Sequence, residues 1–375
     1  MTPSRRFAHR ALAALLATAG MLGAAKAELL IGQTAGFTGA AAGSVKEVTA
    51  GASMYFDTVN AEGGVHGEKI KLLSMDDQFD PKLTATNAAA LINKGALALF
   101  LTRGTPHTQA VLPLLAEHKI VLVAPSTGAM VLHKPLQPWV FNVRASYQRE
   151  AERAIEHLSL IGINRIAIVQ TNDSFGEDAV QGALAGLAKT NKQPVAHVKF
   201  DRSKPELTPI VAKVMAAQPQ PQAVMFIGSV AAAVEGMKAV RATGSTAQLV
   251  TLSNNASAAF IKDLGDVGHG VIVSQVFPYE RSMAKPIIKE ATEAARKAGT
   301  ELTPSMVEGY ASAKVLVEGL KRAGKQPTRE GLRKALESLG RFDLGGVEVG
   351  YSATDHSGMD YVDLAIIDQS GKFRR

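Results

Sequence analysis

The most constraining feature of the sequence is a regular alternation, from Glu28 onward, of short β-rich apolar runs with Ala-rich stretches of helical pattern. Almost every apolar run is followed by a loop of Gly, Ser, Thr, Asn or Pro and then by a helical stretch. This pattern is typical of βαβ units around a parallel sheet, whose strand-end loops lie at the carboxyl edge, where open α/β folds bind ligands. The runs that we predict as strands are 29–32, 69–75, 96–101, 120–124, 165–170, 195–200, 223–227, 248–252 and 270–273.

The last third of the chain departs from this rhythm. Several helical stretches follow one another between 286 and 339, and two strand patterns, 342–350 and 361–367, come after them. Because strands that follow a run of helices cannot extend the βα repeat, we expect them to complete a sheet begun earlier. A length of 375 residues suggests two domains of roughly 100–200 residues each. No linker-like segment separates them, so we expect interleaved lobes between which the chain crosses more than once.

The first 27 residues have the pattern of a targeting segment. Three arginines precede an apolar run at 11–22, and Ala25-Lys26-Ala27 follows it. This succession predicts a secretory signal peptide that is cleaved after Ala27. The apolar run has about 12 residues, whereas a membrane-spanning helix needs ~20. We therefore expect a protein that is exported to the periplasm.

Charge and cysteine content exclude several classes of protein. The formal net charge is +7, but residues 1–27 carry four of the 41 basic side chains and none of the 34 acidic ones, which leaves +3. A nucleic-acid-binding protein is therefore not indicated. The absence of cysteine excludes disulfides, cysteine-ligated metals, a thiol nucleophile and a lipid-modified lipoprotein.

An enzyme is the alternative that the motifs leave open. Gly32, Gly36 and Gly39 follow the first strand, and Tyr310 and Lys314 have the Tyr-x-x-x-Lys spacing of an NAD(P)-dependent short-chain dehydrogenase. The glycine spacing is not G-x-G-x-x-G, and the Tyr/Lys helix is rich in Ala and Val, which favours packing over catalysis. No G-x-S-x-G, H-E-x-x-H or P-loop motif occurs, and the nine histidines are scattered. We therefore expect no catalytic residue, no metal and no cofactor.

Two strand-end loops are suited to holding a small anion or polar ligand. Gly104-Thr105-Pro106 follows a buried strand and opens a helix, with Thr105 placed to offer an amide and a hydroxyl. The loop Pro125-Ser126-Thr127-Gly128 repeats this design one βα unit later. Free amides at a helix N-terminus favour a carboxylate, so two such loops at successive strand ends predict a ligand site.

At these loops the sequence resembles the periplasmic type I substrate-binding proteins of branched-chain amino acid ABC transporters, the leucine/isoleucine/valine-binding family. The resemblance runs from about Glu28 to the end of the chain. It implies an α/β fold of two lobes, each a mostly parallel sheet flanked by helices, with three crossovers at the hinge. The matching segments are 30–39, 60–67, 76–81, 104–109, 125–128 and 165–176. The implied domains are a signal peptide at 1–27, lobe 1 at 28–146 and 275–345, and lobe 2 at 147–274 and 346–375.

The resemblance also implies which residues contact the ligand. Thr105 matches the position whose amide and hydroxyl take the ligand carboxylate. Ser126 and Gly128 match positions that contact the amino acid head group, and Thr127 lies between them.

The remaining implied contacts are Phe175, Tyr279, Ser229 and Asn254. Phe175 and Tyr279 match aromatic cleft positions, and Ser229 stands where the family can have an aromatic residue. The segment Leu252 to Asn255 lies where amino acid binders place an acidic residue for the ligand ammonium, and no acid stands there. Asn254 can hydrogen-bond an amide or a hydroxyl, but it cannot neutralise an ammonium group.

Together these observations predict an exported, non-enzymatic receptor. We expect it to act as a monomer that captures a small organic ligand, a carboxylate, an amide or an amino-acid-like molecule, between its lobes and delivers it to a membrane ABC permease. A ligand-sensing receptor of the same fold is the second interpretation of the function, and the dehydrogenase is the third. The missing acid predicts that free leucine, isoleucine and valine bind poorly.

Overall fold

The computed structural model describes residues 28–375, and the predicted signal peptide lies outside these residues. None of the described helices has both the length and the apolar content needed to cross a membrane. The strands are β1 (Glu28–Ala35), β2 (Lys69–Asp76), β3 (Ala98–Phe100), β4 (Val121–Val123), β5 (Val140–Phe141), β6 (Ile166–Thr171), β7 (Ala196–Phe200), β8 (Ala223–Ile227), β9 (Gln248–Thr251), β10 (Ile272–Gln275), β11 (Gly340–Asp343), β12 (Glu348–Ser352), β13 (Asp355–Gly358), β14 (Asp363–Ile367) and β15 (Phe373–Arg374). The α-helices are α1 (Ala42–Ala61), α2 (Pro81–Asn93), α3 (Thr105–His118), α4 (Tyr147–Leu160), α5 (Ser174–Ala188), α6 (Leu207–Met215), α7 (Val230–Ala242), α8 (Ala258–Leu264), α9 (Pro286–Lys297), α10 (Pro304–Ala323) and α11 (Arg329–Glu337).

Two parallel sheets organise the described chain. The first has the strand order β2-β1-β3-β4-β5, and the second has the order β15-β14-β10-β9-β8-β6-β7. Only β14 and β15 run antiparallel within the second sheet, β14 against β10 and β15 against β14. The predicted fold class, two α/β lobes with mostly parallel sheets flanked by helices, is confirmed. All nine predicted strands of the βα repeat are present, and the predicted strand 361–367 is β14. The run 342–350, predicted as one strand, forms parts of two, β11 and β12, which a turn joins.

The cores follow from the parallel geometry. Strand β8 is buried at all five of its positions, since helices cover both faces of the sheet. In the first lobe helices α10 and α1 pack so closely that their backbones are in contact. A Cβ atom at Gly309 would lie 1.8 Å from the Val48 carbonyl oxygen, and one at Gly51 would lie 2.0 Å from the Met306 carbonyl oxygen. Glycine is therefore required at both positions for the two helices to meet.

The chain crosses between the lobes three times, at 142–146, 276–285 and 359–362. The third crossover lies later than the sequence indicated, because residues 346–359, assigned there to lobe 2, pack in the core of lobe 1 through Val349 and Met359. The physical reason is the tight turn between β11 and β12. Asp343 accepts hydrogen bonds from the amides of Gly345 and Gly346, which folds β12 back against β11. Only β14 and β15 complete the second sheet.

A buried ion pair fixes the first crossover to the second lobe. Arg144 and Glu150 are 1% and 0% exposed and are in direct contact. Arg144 also donates to the Ser253 hydroxyl at 2.7 Å, and Glu150 accepts from the Ser253 amide at 2.9 Å and from the Ser274 hydroxyl. Burial by itself would lower the pKa of Arg144, but the neighbouring Glu150 carboxylate raises it overall.

Breaking this pair should destabilise the fold strongly. Glu150→Gln leaves a buried arginine without its counter-charge, so we expect a loss of about 3–5 kcal/mol in the free energy of unfolding. The measurement is chemical denaturation followed by circular dichroism. The control is Glu152→Gln on the same helix, which removes a surface pair with Lys189 and should cost less than about 1 kcal/mol. Equal stabilities of the two variants would contradict the role assigned to Glu150.

Candidate functional site

The carboxyl ends of the two parallel sheets border a narrow cavity of about 20 Å³ between the lobes. This is far less than the ~300–1,000 Å³ of ligand pockets, so a ligand fits here only when the lobes move apart. Both lobes contribute to its walls, and in the described chain none of the lining residues is acidic. The cavity is lined by Ala41, Phe79, Arg103, Gly104, Tyr147, Phe175, Arg202, Ser229, Val230 and Asn254.

Strained backbone at the ends of two strands positions the wall of the cavity in the first lobe. Leu101 and Ala124, which follow β3 and β4, have φ values of 51° and 53°, a left-handed conformation that non-glycine residues adopt at a cost. After these kinks the chains pair again as a bridge between Arg103 and Ser126. The kinks therefore place both residues beyond the sheet edge, at the boundary between the lobes.

Arg103 is the central cation of the site and is only 6% exposed. Its Nη2 donates across the cleft to the Asn254 carbonyl oxygen at 2.6 Å and to the Ser44 hydroxyl at 3.1 Å. Its Nη1 donates to the Ser126 hydroxyl at 2.6 Å, and Ser126 donates in turn to buried Glu308 at 2.6 Å. Within residues 28–375 the guanidinium makes no direct ion pair, so Glu308 balances its charge only through a hydroxyl.

A loop held by two aspartates supplies Phe79. The Asp77 carboxylate, 0% exposed, accepts from the hydroxyls of Thr34 and Thr84 and from the Phe79 amide. Asp76 accepts from the neighbouring loop and fixes the left-handed turn that ends at Phe79, whose φ is 61°. Burial raises the pKa of Asp77. Across residues 28–375 no group of three potential metal ligands is found, and these two acids serve the loop.

Phe79 lies between two side chains from different lobes. The His107 ring stacks on it with centroids 4.2 Å apart, and the Arg202 guanidinium lies 5.3 Å from its centroid on the second lobe's side. Burial lowers the pKa of His107 to about 4, so this ring is neutral at pH 7. Arg202 pairs with Asp173, the N-cap of α5, and closes the cavity over Phe79.

Three residues predicted as ligand contacts line the cavity. Phe175 packs on Tyr147 with ring centroids 4.7 Å apart, and Ser229 is the N-cap of α7. Asn254 donates through Nδ2 to the Gly228 carbonyl at 2.9 Å. Its Oδ1 is buried and has no partner among the described residues. The cavity therefore presents one unused acceptor beside Arg103.

The other predicted contacts stand behind this wall or away from it. Thr105 begins α3 after the N-cap Gly104, and its hydroxyl bonds to that of Thr127 at 2.8 Å. A Cβ atom at Gly128 would lie 2.7 Å from the Ala145 carbonyl oxygen, so this position packs on the first crossover. Tyr279 donates to the Phe373 carbonyl at 2.8 Å and does not line the cavity. Direct ligand contact by these residues stays a prediction.

The aromatic and charged lining residues that sequence reasoning missed are Phe79, Arg103, Tyr147 and Arg202. A signal existed for Arg103, because a charged residue stands two positions after an apolar run and precedes Gly104. For Arg202 no local signal distinguishes it from a surface residue.

The dehydrogenase motif does not form a site. Tyr310 is 3% exposed and packs edge-on against Tyr55, while Lys314 pairs with Glu290 at 2.6 Å. Burial raises the pKa of Tyr310, whereas proton transfer by such a tyrosine requires a lowered pKa. A Cβ atom at Gly32 would lie 3.0 Å from the Leu91 side chain, so that glycine serves helix packing.

Comparison with known proteins agrees with this geometry. Residues 28–372 match the family described as periplasmic binding protein. The Leu/Ile/Val-binding protein homolog 3 of Brucella melitensis is 23% identical over 331 residues, which are 86% of this chain and 87% of that protein.

Two solved structures have the same fold over nearly their whole length. A substrate-binding periplasmic protein from Ralstonia solanacearum is 32% identical, with a TM-score of 0.85 over 92% of this chain and 99% of that one. A possible leucine/isoleucine/valine-binding protein from Rhodopirellula baltica is 27% identical, with a TM-score of 0.87 over 92% and 96%. These relatives are binding proteins. The chain belongs to the periplasmic binding protein family and is of its leucine/isoleucine/valine-binding type.

Proposed function

We propose that this protein is a periplasmic receptor that captures a small organic carboxylate between its lobes and delivers it to an ABC permease. The observation that carries the proposal is Arg103, a buried cation at the cleft with no direct ion pair in the described chain. A buried guanidinium binds carboxylates in a bidentate manner, with hydrogen bonds stronger than those between neutral groups.

The surroundings of Arg103 favour a negative charge. The N-termini of α3, α5 and α7 all reach the cavity, through Gly104, Phe175 and Ser229. The Asp173 and Ser229 side chains already cap amides of α5 and α7, whereas α3 receives no side-chain cap within the described chain. The free amides and the dipole of α3 therefore make its N-terminus the one most favourable to an anion. Glu308 balances the charge of Arg103 only indirectly, through the Ser126 hydroxyl. A ligand carboxylate beside Arg103 would neutralise this charge directly.

The same walls disfavour an α-ammonium group. The lining of the cavity contains two arginines and no acid, and the unused acceptor on Asn254 carries no charge. Burying an uncompensated ammonium costs several kcal/mol, so free branched-chain amino acids should bind poorly. The rings of Phe79, Tyr147 and Phe175 suit an aromatic or branched apolar body.

Closure is the step that would make the captured state recognisable to a permease. Besides the bond from Arg103 to Asn254, Glu47 of the first lobe accepts hydrogen bonds from the amides of Ala258 and Ala259, at the N-terminus of α8 in the second lobe. Gly43 lies directly against Ala259, where a Cβ atom would come within 2.3 Å of the alanine Cβ. We call this contact between Gly43 and Glu47 of α1 and Ala258 and Ala259 of α8 the seam. Its close packing belongs to the closed arrangement of the lobes.

Delivery and sensing are separated by a genetic experiment. Deleting the gene should abolish high-affinity uptake of the bound carboxylate, measured with labelled compound in intact cells. Normal uptake together with a lost transcriptional response to the compound would favour the sensory receptor instead.

We expect carboxylates without an α-ammonium group to stabilise the protein more than the corresponding amino acids do. A thermal-shift panel compares leucine, isoleucine and valine with their 2-oxo acids and with several benzoates. A ligand at 100 times its Kd stabilises a fold by about 2.7 kcal/mol, which such a panel detects. Strong stabilisation by leucine and none by the acids would contradict the proposal.

Arg103→Gln should weaken binding of the best carboxylate by tenfold or more, because a hydrogen bond to a charged group is worth about 1.5–3 kcal/mol. Arg103→Lys keeps the charge without the planar fork and should lose less affinity. Isothermal calorimetry on protein whose fold is verified by circular dichroism measures both. The control is Arg341→Gln, whose side chain is 83% exposed, and which should bind as the wild type does. An undiminished affinity of Arg103→Gln would refute the anchor.

Gly43→Ala should weaken ligand binding without touching the cavity. Overpacking costs about 1–3 kcal/mol, which corresponds to roughly five- to 150-fold in affinity if it falls on the closed state alone. Single-molecule energy transfer between dyes at Lys94→Cys and Lys213→Cys, in a chain without native cysteine, measures the closed fraction. The double variant Gly43→Ala/Ala259→Gly removes the clash and should restore both closure and affinity. No rescue would mean that the seam does not control closure.

A further inference from the structure

A second groove lies between the lobes, outside the cavity that contains Arg103. It is partly open to solvent and holds about 390 Å³, compared with about 20 Å³ for the cleft cavity. Leu302 and Met306 of the first lobe and Ile261 and Phe373 of the second give it apolar walls. Glu280, on the second crossover, faces this space.

Glu280 is buried and accepts no hydrogen bond from another residue between 28 and 375, although Arg281 beside it and Lys372 on the groove wall are cationic. Its side chain is 7% exposed. The Arg281 Nε lies 3.7 Å from Oε1, which is too long for a hydrogen bond. Burial raises the pKa of Glu280 to about 7.

A second carboxylate in the groove, that of Glu47, shows the contrast. Glu47 accepts from two backbone amides and from the Thr303 hydroxyl, at distances of 2.7–3.1 Å. Its hydrogen-bonding capacity is thus met by the protein, and that of Glu280 is not. A buried carboxylate of this kind is stable as an anion only when a donor reaches it.

We propose that this groove is a second ligand site, which binds a small organic cation with its ammonium group on Glu280 and its apolar body on the surrounding side chains. An ammonium supplies three donors and the opposite charge. The apolar walls select against small inorganic cations, which would remain hydrated. Because both lobes supply these walls, the occupant stabilises the closed arrangement.

Benzylammonium is the probe that tests the site. We expect it to shift the methyl resonances of Ile261 and Met306 in methyl-labelled wild-type protein and to leave Ile31, in the core of the first lobe, unchanged. Glu280→Gln should weaken this binding at least tenfold. The matched control is Glu301→Gln, an exposed acid on the rim of the groove, which should change the affinity little.

Further arms separate this site from the carboxylate cavity. Benzyl alcohol, which lacks the charge, should bind at least tenfold more weakly than benzylammonium. Benzylammonium should bind Phe175→Leu, which alters a wall of the carboxylate cavity and leaves the bond from Arg103 to Asn254 in place, as it binds the wild type. It should also raise the closed fraction in the energy-transfer experiment. Methyl shifts at other positions, equal binding of benzyl alcohol, loss of binding in Phe175→Leu or an unchanged closed fraction would each overturn the proposal. The wild-type methyl shifts decide the location even if Glu280→Gln does not fold.

Discussion

The buried contact between Arg144 and Glu150 is the interaction on which the arrangement of the lobes depends. It fastens the first crossover to β10 and to the segment after β9 by way of Ser274 and Ser253. A buried pair of this kind adds little net stability compared with an apolar contact, but losing one partner is costly. Its consequence is geometric, since it orients the entry into α4 and thereby places Tyr147 at the wall of the cavity.

Two strained backbone positions and one buried cation, which makes no direct ion pair within residues 28–375, define the cavity wall in the first lobe. Leu101 and Ala124 hold left-handed conformations that are unfavourable in isolation, and the surrounding sheet keeps them there. The result is that Arg103 points between the lobes. There it bonds to Ser126 in its own lobe and to the Asn254 carbonyl in the other. The same guanidinium connects the two lobes, and in the proposed function it also holds the ligand.

Much of the fold could be predicted from local pattern, and part of the site could be. The apolar runs identified nine of the ten parallel strands, because strands buried on both faces are continuously apolar. They missed β5, which has only two residues. The turn at Asp343 placed β12 and β13 in the first lobe, a consequence of backbone hydrogen bonds that composition does not display. Among the residues expected at the ligand, Phe175, Ser229 and Asn254 line the cavity.

By itself, the sequence determined the fold class, the family and the absence of an acid where an ammonium would be bound, because each of these follows from residue types at fixed spacing. Only the tertiary structure decided which side chains meet. The approach of Arg202 to Phe79 and of Arg103 to Asn254 joins residues more than 100 positions apart on separate lobes. Such contacts depend on how two sheets face each other across the crossovers, and no local periodicity records that relation.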